Sequence, residues 1–555
     1  MKFSKYLMMA GAAAMLTACS SEEPIVGPDQ NGNAPEGEVY AYFNIALSDN
    51  GGTRASTATA GSAEEYAVKN GKILIFGMKS GVADNITNRV NSTYIAAAEL
   101  EFVDENGNPV TGTSGFDAKY TKVRAKFEKG TFQTEYATFY GVCVLNYDNS
   151  WLPTSADGTV TFKTWAENSD LNGAFVNGKG YVMTNAATFT SSDPRVLSKI
   201  TTGDGYIEDE AKDLKKIAAD FTVQRVAAKV SITSPSNFEY KVKDKEGNDV
   251  AKATFNNWAL DLTRTTSYPV QNVWYDGEDA TKKYSVKDLF STTSNRYVEN
   301  GICMWGAGKN YTTAIKNTTY ARYTVNGWKG MTTTEQYLRE NTMAPDQMSK
   351  ATCTRIIVEA TYTLGTDAAQ DLISINNKVY SRTTLQTLVE GSAGTTYKVA
   401  IKEGNDFVAG AYNFEDVVTI TKTEGGENAD AAVYRAAAAE AGVINYTANE
   451  VKCYVGGKCF YVAYIKHFGT ETDAPTLPTQ IYPNQYDERY TGRYGVLRNN
   501  WYELNLKGVK GIGLPTIPDP DPNHTPDDSG DRNERNMDVN INILNWAKRS
   551  QNVEF

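Results

Sequence analysis

From Val39 to Leu47 every odd position is apolar: Val39, Ala41, Phe43, Ile45 and Leu47 alternate with Tyr40, Tyr42, Asn44 and Ala46. A period of two puts the odd set on one face of the backbone, which predicts a strand over 38–48. The same period returns at the far end of the chain, where Met537, Val539, Ile541 and Ile543 alternate with Asp538, Asn540 and Asn542 before Trp546. Between these ends lie many short apolar runs separated by turn residues. They are Lys72 to Phe76, Tyr94 to Val103, Thr138 to Asn146, Phe221 to Ile232, Phe238 to Val242, Arg355 to Tyr362, Tyr397 to Ile401, Val451 to Tyr464 and Trp501 to Leu506. Glu105 to Pro109 and Lys243 to Asp249 read as turns, and helical periodicity is confined to Asp430 to Ala441. Short strands punctuated by Gly and Asn predict an all-β chain of β-sandwich domains.

The two ends carry more than strands. Lys2 and Lys5 precede an apolar run to Leu16, followed by Thr17, Ala18 and Cys19. A basic start, a short apolar core and small residues make a secretory signal. Leu-x-Ala before Cys19 resembles the lipobox of bacterial lipoproteins, in which the thiol is acylated. The alternative is an ordinary signal peptide that happens to contain Cys19. Residues 20–37, rich in Pro, Gly and Asn, read as a flexible leader. After Leu47 come Asp49-Asn50-Gly51-Gly52-Thr53-Arg54 and a stretch of small residues from Ala55. Such a loop invites proteolysis, and Arg54 is the first basic residue after Lys5. The plainer reading of Arg54 is a solvated loop arginine. Near the other end, the Pro/Asp-rich residues 515–536 predict an extended linker that could carry the last strand roughly 60–70 Å.

Composition narrows the chemistry. Lys+Arg 55 against Asp+Glu 66 give a net charge of -11, the wrong sign for binding a phosphate backbone, so no nucleic-acid partner is expected. Only two histidines occur, His467 and His524, which removes most acid–base and zinc chemistry. His524 sits in the linker, and His467 reads as a surface or packing residue at a strand end. Gly173 to Lys179 has the spacing of a phosphate loop, but Gly180 replaces the Ser or Thr that would hold magnesium. Scattered carboxylates single out no glycosidase pair. No enzyme activity, cofactor or metal is therefore expected. Apart from Cys19 there are five cysteines, an odd and sparse set that reads as buried free thiols. Cys453 and Cys459 flank Gly456-Gly457, read as a hairpin turn. A two-residue turn would put the thiols on opposite faces, and a three-residue turn would set them across from each other. No run approaches the length of a membrane span, so any anchor is lipid.

Taken in order, these features resemble the type V pilus fimbrillins of the Bacteroidales, most of all the shaft subunits of the short fimbriae of Porphyromonas. The resemblance rests on the lipobox at Cys19, the strand before Arg54, and Val144-Leu145-Asn146. It continues through Val223-Gln224-Arg225-Val226-Ala227-Ala228-Lys229-Val230 and Gly495 to Leu504, then the Pro-Asp linker and the last strand with Trp546. It implies two tandem transthyretin-like β-sandwiches, over 55–221 and 222–514, behind a signal peptide (1–19) and a propeptide (20–54). It implies a lipoprotein carried to the outer-membrane surface and cut by an Arg-specific protease between Arg54 and Ala55. Strand 38–48 is then released, and the strand within 537–555 of another copy fills the groove. The implied partners are further copies of the chain, anchor and tip subunits, that protease and, through lipid, the outer membrane. Two other readings stay open: a surface-anchored sandwich lipoprotein that binds glycan or host protein, and a secreted hydrolase. An anchor or tip fimbrillin is a variant of the shaft-fimbrillin reading.

Overall fold

The computed structural model describes residues 37–48, 63–103, 110, 121–132, 135–171, 175–177, 180–190, 193–209, 216–277, 285–290, 296–299, 301–309, 311–312, 320–376, 378–446, 448–468, 490–524, 526 and 537–545. Strands dominate, as the alternation predicts. The N-terminal sheet comprises β1 (Glu38–Leu47), β2 (Gly71–Lys79), β3 (Thr93–Phe102), β4 (Thr121–Glu128), β5 (Tyr136–Leu145), β6 (Met183–Asn185), β7 (Ser198–Ile200), β8 (Ile207–Glu208) and β9 (Ile217–Arg225). Its order is β7-β5-β2-β3-β4-β1-β9-β6, with β8 paired to β1. A further pairing of Val144 and Leu145 with Thr184 and Met183 joins β5 to β6. In place of the two separate sheets expected of a sandwich stands one sheet rolled until its ends meet.

This closure explains why β2 and β5 read as unbroken apolar runs. Ile73, Ile75, Phe139 and Cys143 point into the roll, where they meet Phe43, Val123 and Phe221. Leu74, Phe76, Tyr140 and Val142 face a second layer built from the helix Phe162–Asn168, Trp274 and Trp305. Strands covered on both sides lose their alternation.

Through the single residue Val226, β9 passes into β10 (Ala227–Thr233). The expected domain boundary between 221 and 222 thus falls inside β9, and the hand-over between sheets comes at Val226. The second domain packs two sheets face to face. One contains β10, β13 (Glu335–Arg339), β22 (Asn500–Val509) and β23 (Met537–Asn545), in the order β13-β10-β22-β23. The other runs β11-β12-β14-β21, from Glu239–Lys243, Asp249–Asp261, Arg355–Leu364 and Lys458–Tyr464. Val230, Ile232, Tyr502 and Leu504 of the first meet Phe255, Trp258, Val358 and Tyr461 of the second in one core. The turn between β11 and β12 is closed by the Asp244 carboxylate, which accepts the Asn248 N–H at 2.8 Å, with Gly247 at φ 90°.

Between β14 and β21, which are hydrogen-bonded neighbours, the chain leaves the sandwich to build a lobe. Here β15 (Leu372–Ile375), β16 (Lys378–Ser381), β18 (Gly410–Tyr412) and β20 (Val451–Tyr454) form one sheet. The pair β17 (Tyr397–Ile401) and β19 (Val418–Lys422) forms another, alongside α1 (Arg382–Ala393) and α2 (Ala431–Glu440). Its core, with Ile373, Leu385, Val389, Ile420, Ala437 and Cys453, is its own. The α2 helix matches the expected Asp430 to Ala441. The α1 helix was not foreseen, although Ser381 caps it by accepting the Thr384 N–H and Leu385, Leu388 and Val389 have helical spacing. The hairpin expected at Gly456-Gly457 is corrected. β20 pairs with β15 and β18, whereas β21 pairs with β14, so these glycines carry the chain from the lobe back to the sandwich. Cys453 and Cys459 lie in different sheets, and the five cysteines 143, 303, 353, 453 and 459 are buried free thiols.

Candidate functional site

The first strand is held from both sides. β1 runs antiparallel to β4 in the register Val39↔Phe127, Ala41↔Ala125, Phe43↔Val123 and Ile45↔Thr121. It runs parallel to β9, with Phe43↔Ala219, Ile45↔Phe221 and Leu47↔Val223. Beyond its last residue, the Ser48 N–H still donates to the Val223 carbonyl at 2.6 Å. Ala41 and Phe43 are fully buried, with Val39 and Ile45 nearly so, and the Phe43 ring lies 5.6 Å from that of Phe221. Leu47, the fifth member of the apolar set, packs at the margin of that core. Burying Val39, Ala41, Phe43 and Ile45 contributes roughly 5–10 kcal/mol as an upper bound. Withdrawing the strand would expose that area and leave two rows of backbone groups unpaired.

The opposite face of β1 buries Tyr42 against Val103 and Ile217 and is otherwise lined by charge. The Lys126 ammonium pairs with the Glu38 carboxylate at 2.8 Å, holding the carboxyl below its usual range and the ammonium above its own. Tyr40 donates its hydroxyl proton to Glu38 at 3.0 Å, which raises the phenol. Arg124 lies 5.4 Å from the Tyr40 ring centre and Lys122 4.4 Å from that of Tyr42. On the other side, the Asn44 amide donates to the Asp220 carboxylate at 2.7 Å. Three cations on β4 and one anion on β9 therefore flank this face.

Cys19, Arg54 and Ala55 lie outside the described residues, as do the leader and the loop over 49–62. The chain resumes at the short turn Ala63–Tyr66, and here the structure adds Glu65, which no sequence pattern had singled out. Glu65 is 1% exposed. Its carboxylate accepts from the Lys229 ammonium at 2.9 Å and the Tyr337 hydroxyl at 2.8 Å, and its carbonyl accepts from Arg225 Nε. Burial lowers the Arg225 guanidinium to about 10. The Asn146 side-chain oxygen accepts from the Lys69 N–H, and its amide donates to the Ala67 and Tyr181 carbonyls. Residues just after the loop are thus tied to both domains, through β5, β9, β10 and β13.

The last strand is held from one side. β23 lies antiparallel on β22 at the outer position of its sheet, with Ile543↔Tyr502, Ile541↔Leu504, Val539↔Leu506 and Met537↔Val509. Residues 537–545 are here paired with their own chain. Trp546 lies outside the described residues, as does most of the linker after 526.

His467 is buried, a packing residue rather than a surface one. Its Nδ1 accepts from the Tyr502 hydroxyl at 2.8 Å and its Nε2–H donates to the Met304 carbonyl at 3.0 Å, between Trp305 and Phe468. Burial lowers it to about 4. Of the phosphate-loop segment, the described part is a short ladder of 176–177 with 180–181. Among the described residues no cluster of three His, Cys, Asp or Glu could hold a metal, and no helix is long and apolar enough to cross a membrane.

With this geometry in hand, residues 452–552 match the family model described as major fimbrial subunit protein type IV, fimbrillin, C-terminal. The C-terminal part of the chain is fimbrillin-like. The matched stretch takes in β21, β22 and β23, so the fimbrillin-like region includes the strand that ends the described chain. Solved structures with likeness to the chain include two candidate cell adhesion proteins of Parabacteroides distasonis. They are 11% and 10% identical, with TM-scores of 0.36 and 0.35, each over 92% of this chain and 98% and 100% of theirs. A third, from Bacteroides eggerthii, is 12% identical with a TM-score of 0.34, over 93% of this chain and 98% of its own. No curated protein matches the chain.

Proposed function

We propose that this chain is a structural, non-catalytic subunit of a cell-surface fimbria, made as an exported lipoprotein precursor through Cys19. Cleavage between Arg54 and Ala55 severs β1 from the rest, and residues 537–545 of another copy enter between β4 and β9. The observation that carries this reading is the position of β1: a strand hydrogen-bonded on both sides, yet joined to the remaining chain through the one segment that holds Arg54. The fimbrillin-like match supports the class of assembly. Each copy would offer one groove and one strand, and such head-to-tail exchange does not close, so it grows a fibre. A shaft role fits a subunit with both parts, because an anchor keeps its lipid and a tip needs no strand to donate.

The test is to treat the purified precursor with trypsin or an Arg-specific protease. A new N-terminus at Ala55 and SDS-resistant ladders formed only after cutting are expected. A variant lacking residues 537–555 should be cut and stay monomeric, and ladders from it would overturn the donor assignment. Arg54→Ala should leave a lipidated monomer that retains residues 38–47.

A further inference from the structure

We infer that residues 515–524 stay docked on their own sandwich while strands are exchanged, so that the donor arm starts after His524 and not after Leu514. This rests on the exchange proposed above and limits its reach. The Pro/Asp-rich stretch reads as one extended linker, yet its first half is fastened to the sandwich at three points.

The first is the edge of β21. Leu514 and Phe460 exchange both backbone hydrogen bonds, each at 2.8 Å. Just before it, the Tyr454 and Tyr461 hydroxyls donate to the Gly513 and Gly511 carbonyls, each at 2.9 Å. The second point is Pro518. Asp261, Arg355 and Tyr464 are cross-strand neighbours at the ends of β12, β14 and β21. Arg355 is fully buried between them, its Nε donating to Asp261 at 2.8 Å and its Nη1 to the Tyr464 hydroxyl at 3.3 Å. Its Nη2 donates to the Pro518 carbonyl at 2.8 Å, and a charged donor makes that bond stronger than a neutral one would. The third point is His524, whose carbonyl accepts the Lys350 N–H at 2.7 Å. The Lys350 carbonyl in turn accepts from the Tyr464 hydroxyl at 3.4 Å, which ties the second point to the third.

The sequence of this strap favours docking. Five of the twelve residues from Pro515 to Pro526 are proline, which lacks an N–H and fixes φ. The docked chain therefore has few donors to satisfy and gives up little freedom. Asp521 closes its end by accepting the Asn523 N–H at 2.8 Å and pairing with His524. Lifting the strap would break all three fastenings, whereas withdrawing β23 breaks its ladder with β22 and leaves them in place. The arm is then the twelve residues from Thr525 to Asn536, which span at most about 40–45 Å. The whole linker would have reached roughly 60–70 Å. The groove of the receiving copy must therefore open within the shorter distance of His524.

A disulfide staple tests this in the full-length precursor. Lys350→Cys and His524→Cys are placed in one chain, joined by mild oxidation, and the chain is cut with an Arg-specific protease in the oxidised and the reduced state. The expected result is ladder growth within two-fold in the two states. Growth slowed more than two-fold by the staple and restored by reductant would overturn the strap and give the arm the whole linker. Failure of the pair to join on oxidation would overturn the docking itself. If unsubstituted chains give no ladders after cutting, the exchange fails and this inference with it. As an independent readout, hydrogen exchange at the Lys350 amide should be slowed at least ten-fold, relative to a free amide, in the precursor and in the ladders alike. Protection lost on assembly would show that the strap lifts.

Discussion

Two strands with the same alternation, β1 and β23, meet different fates in one molecule. β1 is enclosed, with β4 on one side, β9 on the other and four apolar side chains in the core of the roll. Among the described residues β23 has a single partner, β22, and lies at the margin of its sheet. Period alone thus sets which residues share a face, whereas tertiary context sets what it costs to withdraw the strand. An enclosed strand loses two ladders on withdrawal; an edge strand loses one. That difference is what a polymerising subunit would need: a plug that leaves only after the chain is cut, and a strand that leaves readily.

The largest test of this contrast compares truncations in the two strands. Phe43→Ala in the uncut precursor should cost about 3–5 kcal/mol, in the range of a buried aromatic deleted without collapse of its site. Ile541→Ala should cost less, about 2–3 kcal/mol, since a smaller side chain is removed. Urea denaturation of the two variants, with hydrogen exchange to localise the loss, measures both. Equal losses would break the comparison and make β23 as integral to its domain as β1.

A second test uses pH, because the two strands rest on differently titrating supports. His467 accepts from Tyr502, the β22 residue opposite Ile543, and burial lowers its pKa to about 4 from an ordinary 6.5. Between those values the unfolded chain binds more protons than the folded one, so stability falls as pH drops from about 6.5 to 4. The full effect is on the order of 3 kcal/mol, felt in the sandwich that carries β23. Denaturation at pH 7 and pH 4.5 should show that loss, and His467→Gln should flatten the dependence. If hydrogen exchange reports the same acid loosening in β1, the two regions are coupled rather than independent.

How much of this was legible in the sequence depended on the range of the forces involved. Both terminal strands, the turn at Asp244 and the helix after Asp430 follow from local period and turn residues, and all appear. The closed sheet does not follow, because Val144 pairing with Thr184 is a matter of which distant ends meet. The α1 helix was masked by its Thr and Gly residues, though its Ser381 cap and Leu385–Val389 spacing were readable signals. Glu65 had no signal at all: its role arises from Lys229 and Tyr337, far along the chain. His467 reads only as a surface or packing residue, because its partners, Met304 and Tyr502, are again distant.

The smallest test addresses the polar face of β1, where the two strands are most alike in sequence. Asn44 donates to Asp220 at 2.7 Å in an exposed setting, and Asn542 stands five residues after Met537 as Asn44 does after Val39. Asn44→Ala should therefore lower precursor stability by only about 0.5–1.5 kcal/mol, the net worth of one hydrogen bond. After cutting, the substitution leaves with the released strand, so ladder growth should match that of the unsubstituted chain. Asn542→Ala should behave inversely, leaving the precursor unchanged and weakening the assembled junction, read as earlier dissociation of ladders on heating in SDS. If Asn542→Ala instead destabilises the precursor as much as Asn44→Ala does, the amide is used within the chain's own sheet. The match between the two strands would then end at their apolar face.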